Sequence, residues 1–205
     1  LFLSLLIGGI GVVTCLPMGI VLALARRSKL PIIKTFAVTY IELFRSVPLI
    51  TMLFMSVTIL PFFLPAGLTL DKLAQVLVGQ SLFLAAFMAE TIRGGLQAMS
   101  RDQYEAADAL GLNYWLKMRL IIMPQALKIM IPSITGSFIG TLKDTTLVSI
   151  IGIFDILLMT QLTARNPKWL GFSMEPLTIT TLFFFILCFS LSKYSQYLEK
   201  KLNRS

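Results

Sequence analysis

The sequence contains no histidine and only two cysteines among its 205 residues. Without histidine, zinc chemistry, Ser-His-Asp catalysis and histidine proton relays have nothing to work with. Cys15 and Cys188 both lie in apolar segments, where they are better suited to small apolar fillers than to a disulfide or a metal pair. No Gly-x-x-x-x-Gly-Lys-Ser/Thr sequence occurs, so the chain has no phosphate-binding loop of its own. We expect neither a metal site nor catalytic residues.

Charged residues are scarce, at 14% of the chain, whereas 56% are hydrophobic and the mean hydropathy is +0.82. A soluble domain carries about 25% charged residues, so this composition predicts an integral membrane protein. Within a bilayer the backbone must satisfy its own hydrogen bonds, which helices and closed β-barrels achieve. The apolar runs do not alternate with polar residues as barrel strands do. The predicted fold class is therefore an all-α, polytopic membrane protein.

Several apolar runs are long enough to cross a bilayer, because a spanning helix needs about 20 apolar residues. We predict five transmembrane helices in a single domain over residues 1–205, at 1–25, 32–64, 73–92, 128–163 in two pieces, and 177–197. The chain opens within the first run without an initiator methionine, so we expect the natural protein to extend before Leu1.

The basic residues are concentrated in the connections on one side of these helices. Four follow the first span, four follow the third and four lie near the C-terminus: Arg26, Arg27, Lys29, Lys34, Arg93, Arg101, Lys117, Arg119, Lys193, Lys200, Lys201 and Arg204. The opposite connections contain Lys72, Arg165 and Lys168. Positively charged loops remain in the cytoplasm, so the C-terminus is predicted to be cytoplasmic and Leu1 to start outside. This topology and attraction to anionic lipid explain the net charge of +8 better than nucleic-acid binding does.

The polar loop at 101–119 has the start and stop signals of two short helices. Asp102 is placed to cap the first helix, and Gly111 is placed to end it in a left-handed turn. Asn113 can cap a second helix that begins at the next residue. We predict a helix-turn-helix that projects into the cytoplasm.

This loop has more apolar surface than a free loop needs. Trp115 and Leu116 pack either on the helix ends of the same chain or on a partner, and the sequence leaves both possibilities open. Glu105, Ala106 and Ala107 suit a groove in another protein, because small residues allow close approach and one carboxylate fixes the register.

One spacing in the loop is specific: Glu105-Ala106-Ala107, then Gly111, Ile121 and Met123-Pro124. It resembles the EAA motif of the permease subunits of bacterial ABC importers, with Met123 where that pattern has leucine. The resemblance implies a five-helix permease core in the bacterial inner membrane, whose loop forms a coupling helix seated in a cleft of a separate ATP-binding subunit. It implies that the coupling residues are Glu105, Ala106, Ala107, Gly111 and Trp115.

Further stretches resemble importers of polar amino acids, namely 41–49, 89–97 and 124–129, and two others, 142–152 and 194–199, resemble the M-type permease of the general L-amino-acid importer. The resemblance implies an amino acid substrate and no cofactor in this chain. It also implies three partners: a related, non-identical second permease subunit, an ABC ATPase dimer that holds ATP and magnesium, and a periplasmic amino-acid-binding protein.

Two pairs of opposite charges lie within the predicted spans. Glu42 and Arg45 are three residues apart, and Glu90 and Arg93 repeat the spacing, which places each pair on one helical face. Each pair lowers the cost of bringing a charge toward lipid. We interpret the pairs as structural elements at the inner mouth of the bundle, and a role in a gate remains open.

Lys143 and Asp144 lie between two apolar runs, where a continuous helix would bury them deep in the bilayer. We predict a break here, with one half-helix ending near Lys143 and another capped by Asp144 or Thr145. In the substrate hypothesis, Lys143, the hydroxyls of Thr145 and Thr146 and the new helix N-terminus bind an α-carboxylate, whereas Asp144 and nearby carbonyls bind the α-ammonium. Asp155, Ser149 and Gln161 are weaker candidates, and a principal site in the partner subunit is left open. The alternative is that Lys143 and Asp144 pair and merely stabilise the break.

The function predicted from these features is the translocation subunit of an ATP-driven amino acid importer that works by alternating access. A break at 143–146 would also suit a secondary amino acid transporter driven by an ion gradient, although no inverted repeat is visible. A membrane anchor is a third reading, for which the charges within the spans would be unnecessary.

Overall fold

The structure is a computed structural model that describes residues 1–169, 171–172 and 174–202. The helices in this range are α1 Phe2–Arg26, α2 Pro31–Ser46, α3 Leu49–Thr58, α4 Lys72–Ala98, α5 Arg101–Ala109, α6 Tyr114–Lys117, α7 Met123–Asp144, α8 Ile156–Ala164 and α9 Met174–Leu202. Three 3₁₀ segments, Leu60–Phe63, Thr145–Ser149 and Pro167–Trp169, and a π-helical turn, Met118–Ile122, complete the regular structure. Arg204, one of the basic residues used to predict the topology, lies outside the described residues.

The fold class predicted from the composition is confirmed. Four helical segments are each long and apolar enough to cross a membrane, namely α1, α4, the continuous run Tyr114–Ser149 and α9, and α2 together with α3 would make a fifth. The second predicted span is broken at Val47, where α2 and α3 meet at 105°. Val47 has an extended ψ of 149° because the ring of Pro48 disfavours a helical conformation at the preceding residue.

Helix α4 lies at the centre of the bundle and packs against α1, α2, α3 and α7. Its close approach to α1 depends on glycine: a Cβ atom built on Gly19 would lie 2.7 Å from Cγ of Met88. The same holds for α3, since a Cβ on Gly79 would lie 2.5 Å from Cβ of Ser56. Small residues allow such close packing of spanning helices, and here they bring the C-terminal end of α1 beside the charged residues of α4.

Candidate functional site

Two regions contain the residues that the sequence singled out. One is the end of the bundle that carries α5 and α6, which we call the hairpin end. The other is the segment that joins α7 to α8, together with the facing part of α9.

At the hairpin end, one carboxylate binds three arginine side chains. Glu90 on α4 is only 14% exposed, and its carboxylate contacts Arg26 at the end of α1, Nη1 of Arg45 on α2 at 3.6 Å, and Nη2 of Arg93 at 2.8 Å. Arg26 Nη1 also lies 3.3 Å from Oε1 of Glu42. This charge cluster therefore joins α1, α2 and α4.

The predicted pair between Glu42 and Arg45 is wrong, whereas the pair between Glu90 and Arg93 is formed. Glu42 and Arg45 do lie on one face of α2, but α1 and α4 cross that face. Each of the two side chains therefore finds its partner on a neighbouring helix, Arg26 for Glu42 and Glu90 for Arg45. Sequence reasoning missed Arg26, which it counted only as a basic residue after the first span.

The hairpin formed by α5 and α6 is closed by its own hydrogen bonds. Gly111 has a φ of +71°, and the amide of Leu112 donates to the carbonyl of Ala107 at 3.2 Å, as in a glycine-terminated helix end. The side chain of Asn113 accepts a 2.9 Å hydrogen bond from the amide of Leu116. These two predicted signals are confirmed, but Asp102 is not the cap of α5. It lies in the first turn, two residues after the N-cap Ser100.

The predicted coupling residues differ in exposure. Glu105 and Ala106 are exposed, whereas Ala107 is completely buried within the chain. Trp115 is 70% exposed and Leu116 is also exposed, so they are not covered by the helix ends of this chain. The outer face of the hairpin therefore offers an acidic side chain, a small residue and large apolar side chains to a partner, and Ala107 faces inward.

Three contacts connect the hairpin to the spanning helices. Nη1 of Arg27 donates a 2.9 Å hydrogen bond to the hydroxyl of Tyr104, and that hydroxyl donates to the carbonyl of Leu96 on α4 at 3.3 Å. On the other side, the side-chain amide of Gln125 donates to Oε1 of Gln103 at 3.0 Å. A force on the hairpin can therefore reach α1, α4 and α7 directly.

The α-helix α7 ends at Asp144, as predicted, but the second half-helix predicted to start at Asp144 or Thr145 is not formed. Helix α7 runs through Lys143 to Asp144 and continues as a 3₁₀ segment to Ser149, so no helix N-terminus lies at this point. The hydroxyls of Thr145 and Thr146 each donate to a carbonyl three residues earlier, both at 2.8 Å. Because these bonds fit a tightened helical turn, the threonines continue the helix rather than end it.

The chain turns later, at Gly152, which has a φ of +78°, and α8 begins after Asp155. Oδ1 of Asp155 accepts a 2.8 Å hydrogen bond from the amide of Leu158, which makes it an N-cap. Its side chain is completely buried, and its Oδ2 has no hydrogen-bond partner among the described residues. The helix N-terminus that the sequence predicted at Asp144 or Thr145 is therefore found about ten residues further on.

A cavity of about 260 Å³ lies between the α7–α8 segment and α9, lined by Lys143, Thr146, Leu157, Thr180, Thr181 and Phe184. Two of the five predicted substrate-binding residues, Lys143 and Thr146, face this cavity. Asp144 is half-buried, Thr145 is completely buried and Ser149 is half-buried, and none of these three lines the cavity.

The sequence did not predict the remaining features of this cavity. Lys143 is exposed and forms no ion pair with any described residue, so the predicted pairing with Asp144 is not observed. Thr180 and Thr181 were missed, and only the threonine-rich start of α9 could have indicated them. The hydroxyls of Thr160 and Thr180 are 2.6 Å apart and join α8 to α9 beside the cavity.

The known proteins that this chain resembles are all components of membrane transport systems. Residues 15–204 match the family described as "Binding-protein-dependent transport system inner membrane component". The chain is 50% identical over 203 residues to the inner membrane amino-acid ABC transporter permease protein YhdY of Escherichia coli K12, with 99% of this chain and 55% of that protein covered. It is 52% identical over 203 residues to the glutamate/glutamine/aspartate/asparagine transport system permease protein BztC of Rhodobacter capsulatus, with 98% and 47% covered.

A solved structure described as an amino acid ABC transporter with histidines has a chain with the same fold. The TM-score is 0.84 at 29% sequence identity, with 98% of this chain and 91% of that chain covered. The present chain spans about half the length of the two curated relatives, 55% and 47% respectively.

Proposed function

Because the chain belongs to the family of binding-protein-dependent transport system inner membrane components, we propose that it is a translocation subunit of an ATP-driven amino acid importer. The observation that carries this proposal is the hairpin. Its outer face exposes Glu105, Ala106 and Trp115, while Arg27, Tyr104 and Gln125 connect it to three spanning helices. Such an element can dock an ATPase and transmit its movement to the transmembrane path.

The proposal includes three kinds of partner. An ABC ATPase dimer supplies ATP hydrolysis, a periplasmic binding protein delivers the substrate, and a related, non-identical permease chain completes the path. The hairpin end faces the cytoplasm, as the basic residues after α1 and on α5 favour by the positive-inside rule. ATP-driven closure of the ATPase moves the hairpin and shifts the transmembrane path between outward and inward states.

The cavity beside Lys143 is the substrate site in this proposal. The Lys143 ammonium would bind a carboxylate, since charge-assisted hydrogen bonds are the stronger class. Thr181 adds a hydroxyl on the opposite wall, whereas the hydroxyl of Thr146 already donates to the carbonyl of Lys143 and that of Thr180 to the carbonyl of Pro176. Asp144 does not line the cavity, so it neighbours this site in sequence only, and Thr145 and Ser149 support the segment from behind. The relatives named for glutamate, glutamine, aspartate and asparagine support a substrate of this polar class.

The experiment that tests the proposal is uptake by the assembled complex in proteoliposomes. The chain is purified with its partner permease, ATPase and binding protein, and uptake of radiolabelled glutamate and glutamine is measured with enclosed ATP or a non-hydrolysable analogue. We expect uptake with ATP and none with the analogue. Uptake driven by an ion gradient without ATP hydrolysis would instead establish a secondary transporter.

A further inference from the structure

An apolar groove lies beside the hairpin, between the end of α1, the start of α2 and α6. Its volume is about 620 Å³, and the residues that line it include Val21, Leu24, Arg27, Lys29, Leu30 and Ile33. Several of its apolar side chains are open to the surroundings: Val21 is 66% exposed, and Leu30 and Trp115 are also exposed. Nothing in the described part of the chain covers them.

A basic cavity of about 570 Å³ lies next to this groove and shares Arg27 with it. Its other basic residues are Arg26, Lys34, Arg93 and Arg101, and the one acidic residue that lines it is Glu105. Arg26 and Arg93 already contact the carboxylate of Glu90. Lys34 and Arg101 form no ion pair within the described residues, and neither do Arg27 and Lys29.

The position of the groove relative to a bilayer follows from α1. Val21 and Leu24 belong to the apolar part of a spanning helix that ends at Arg26, so the groove opens where hydrocarbon gives way to headgroups. Tyr114 and Trp115 flank it, and aromatic residues of this kind favour the membrane interface. The apolar part of a bound molecule would thus lie at the membrane depth of Val21, and its polar end would lie at the depth of Arg27 and Lys29.

We propose that this groove binds an anionic phospholipid, with an acyl chain against Val21, Leu30 and Ile33 and the phosphate at Arg27 and Lys29. The combination of an apolar floor continuous with a spanning helix and unpaired cations at its mouth complements such a lipid. An apolar side chain of an ATPase subunit would fill the floor but would not by itself use the cations. The lipid is therefore the better-matched occupant.

A lipid in this groove would also stabilise the hairpin, because the groove and the hairpin share residues. Arg27 contacts the hydroxyl of Tyr104 on α5, and Trp115 belongs to α6. A bound lipid would hold α6 against the α1–α2 connection and leave Arg27 oriented between the phosphate and Tyr104. The lipid would thus support the hairpin without taking part in substrate transport itself.

Lipid retention by the purified complex tests the proposal without any transport assay, so its failure is distinguishable from failure of the proposed function. The detergent-solubilised complex is incubated with dioleoylphosphatidylglycerol or dioleoylphosphatidylcholine, and bound lipid is counted by native mass spectrometry. We expect preferential retention of the glycerol lipid. Lys29→Gln and Arg27→Gln should each lower its retention about fivefold, the effect of one basic residue near an anionic surface.

Two further variants separate the specific site from diffuse attraction. Arg119→Gln removes an exposed cation at the same end of the bundle that lines neither cavity, and it should leave retention unchanged. Ile33→Asn leaves every charge in place but makes the groove polar, and it should lower retention. Lys29 has no hydrogen-bond or ion-pair partner among the described residues, so Lys29→Gln should assemble normally.

Three results would overturn the proposal. The first is equal retention of the two lipids, and the second is the same loss in Arg119→Gln as in Lys29→Gln, which would indicate only diffuse attraction. The third is efficient cross-linking of the Leu30→Cys variant to the ATPase subunit, which would show that a protein occupies the groove.

Discussion

Arg27 and Tyr104 join the first spanning helix to the hairpin. Nη1 of Arg27 lies 2.9 Å from the Tyr104 hydroxyl, and the guanidinium carbon lies 5.4 Å from the centre of the tyrosine ring. The same hydroxyl donates to the carbonyl of Leu96. One side chain of α5 thus contacts both α1 and α4.

Tyr104→Phe should lower the number of amino acids imported per ATP hydrolysed. The substitution removes both hydrogen bonds but keeps the ring, so the cation–π contact and the packing remain. A neutral hydrogen bond, such as the one to Leu96, contributes about 1 kcal/mol, and a bond from a charged donor such as Arg27 contributes more. We therefore expect a several-fold loss of coupling rather than loss of assembly. Uptake and ATP hydrolysis measured on the same proteoliposomes give the ratio. A fall in both rates with an unchanged ratio would contradict a role in coupling.

Glu90→Gln should destabilise the complex more than Glu42→Gln. Removing one partner from a mostly buried ion pair leaves cations without compensation and costs up to several kcal/mol. Because the arginines are partly exposed, we expect about 2 kcal/mol for Glu90. Glu42 is 57% exposed, and an exposed pair is worth at most about 1 kcal/mol. The thermal unfolding midpoint of the purified complex measures both variants, and equal shifts would argue against Glu90 as the centre of the cluster.

Gly19→Ala should lower stability, whereas Gly9→Ala should not. A Cβ at Gly19 would lie 2.7 Å from Cγ of Met88 and 3.1 Å from the amide nitrogen of Ala89, so α1 and α4 must move apart. Overpacking of this kind costs about 1–3 kcal/mol. Gly9 lies on the same helix with no atom within 4 Å of the added carbon, which makes it a matched control. The midpoints of thermal unfolding should separate the two variants, and a similar midpoint for both would refute the close-packing argument.

The hairpin was predictable from local signals, whereas the site near Lys143 was not. Gly111 and Asn113 act through their own backbone conformation and nearest amides, which the sequence specifies directly. Thr145 and Thr146 carried an ambiguous signal, because a threonine hydroxyl can cap a new helix or bond the preceding turn. The partner of Arg45 depends on how α2 crosses α4, and no spacing within α2 contains that information.

Substitutions of Asp155 test whether this residue caps the start of α8, the helix start that the sequence predicted at Asp144 or Thr145. Asp155→Asn retains an oxygen that can accept from the amide of Leu158 and removes a buried charge, so the stability of the complex should be kept or raised. Asp155→Ala loses the cap and should cost about 1 kcal/mol. Thermal unfolding of the complex compares the two. If Asp155→Asn were as damaging as Asp155→Ala, the charge of Asp155 rather than its capping bond would be the important property.

Lys143→Met should weaken substrate binding by the assembled importer. Lys143 faces the cavity and has no described anionic partner, so its charge is available to a substrate carboxylate. Hydrogen bonds to a charged group contribute about 1.5–3 kcal/mol, which corresponds to a loss of affinity of about tenfold or more for glutamate. Lys128→Met is the matched control, because Lys128 is exposed on the same helix and lines none of the described cavities. Equilibrium binding of radiolabelled glutamate to the complex without its binding protein measures the substrate affinity. Equal affinities for wild type and Lys143→Met would show that the carboxylate does not bind in this cavity.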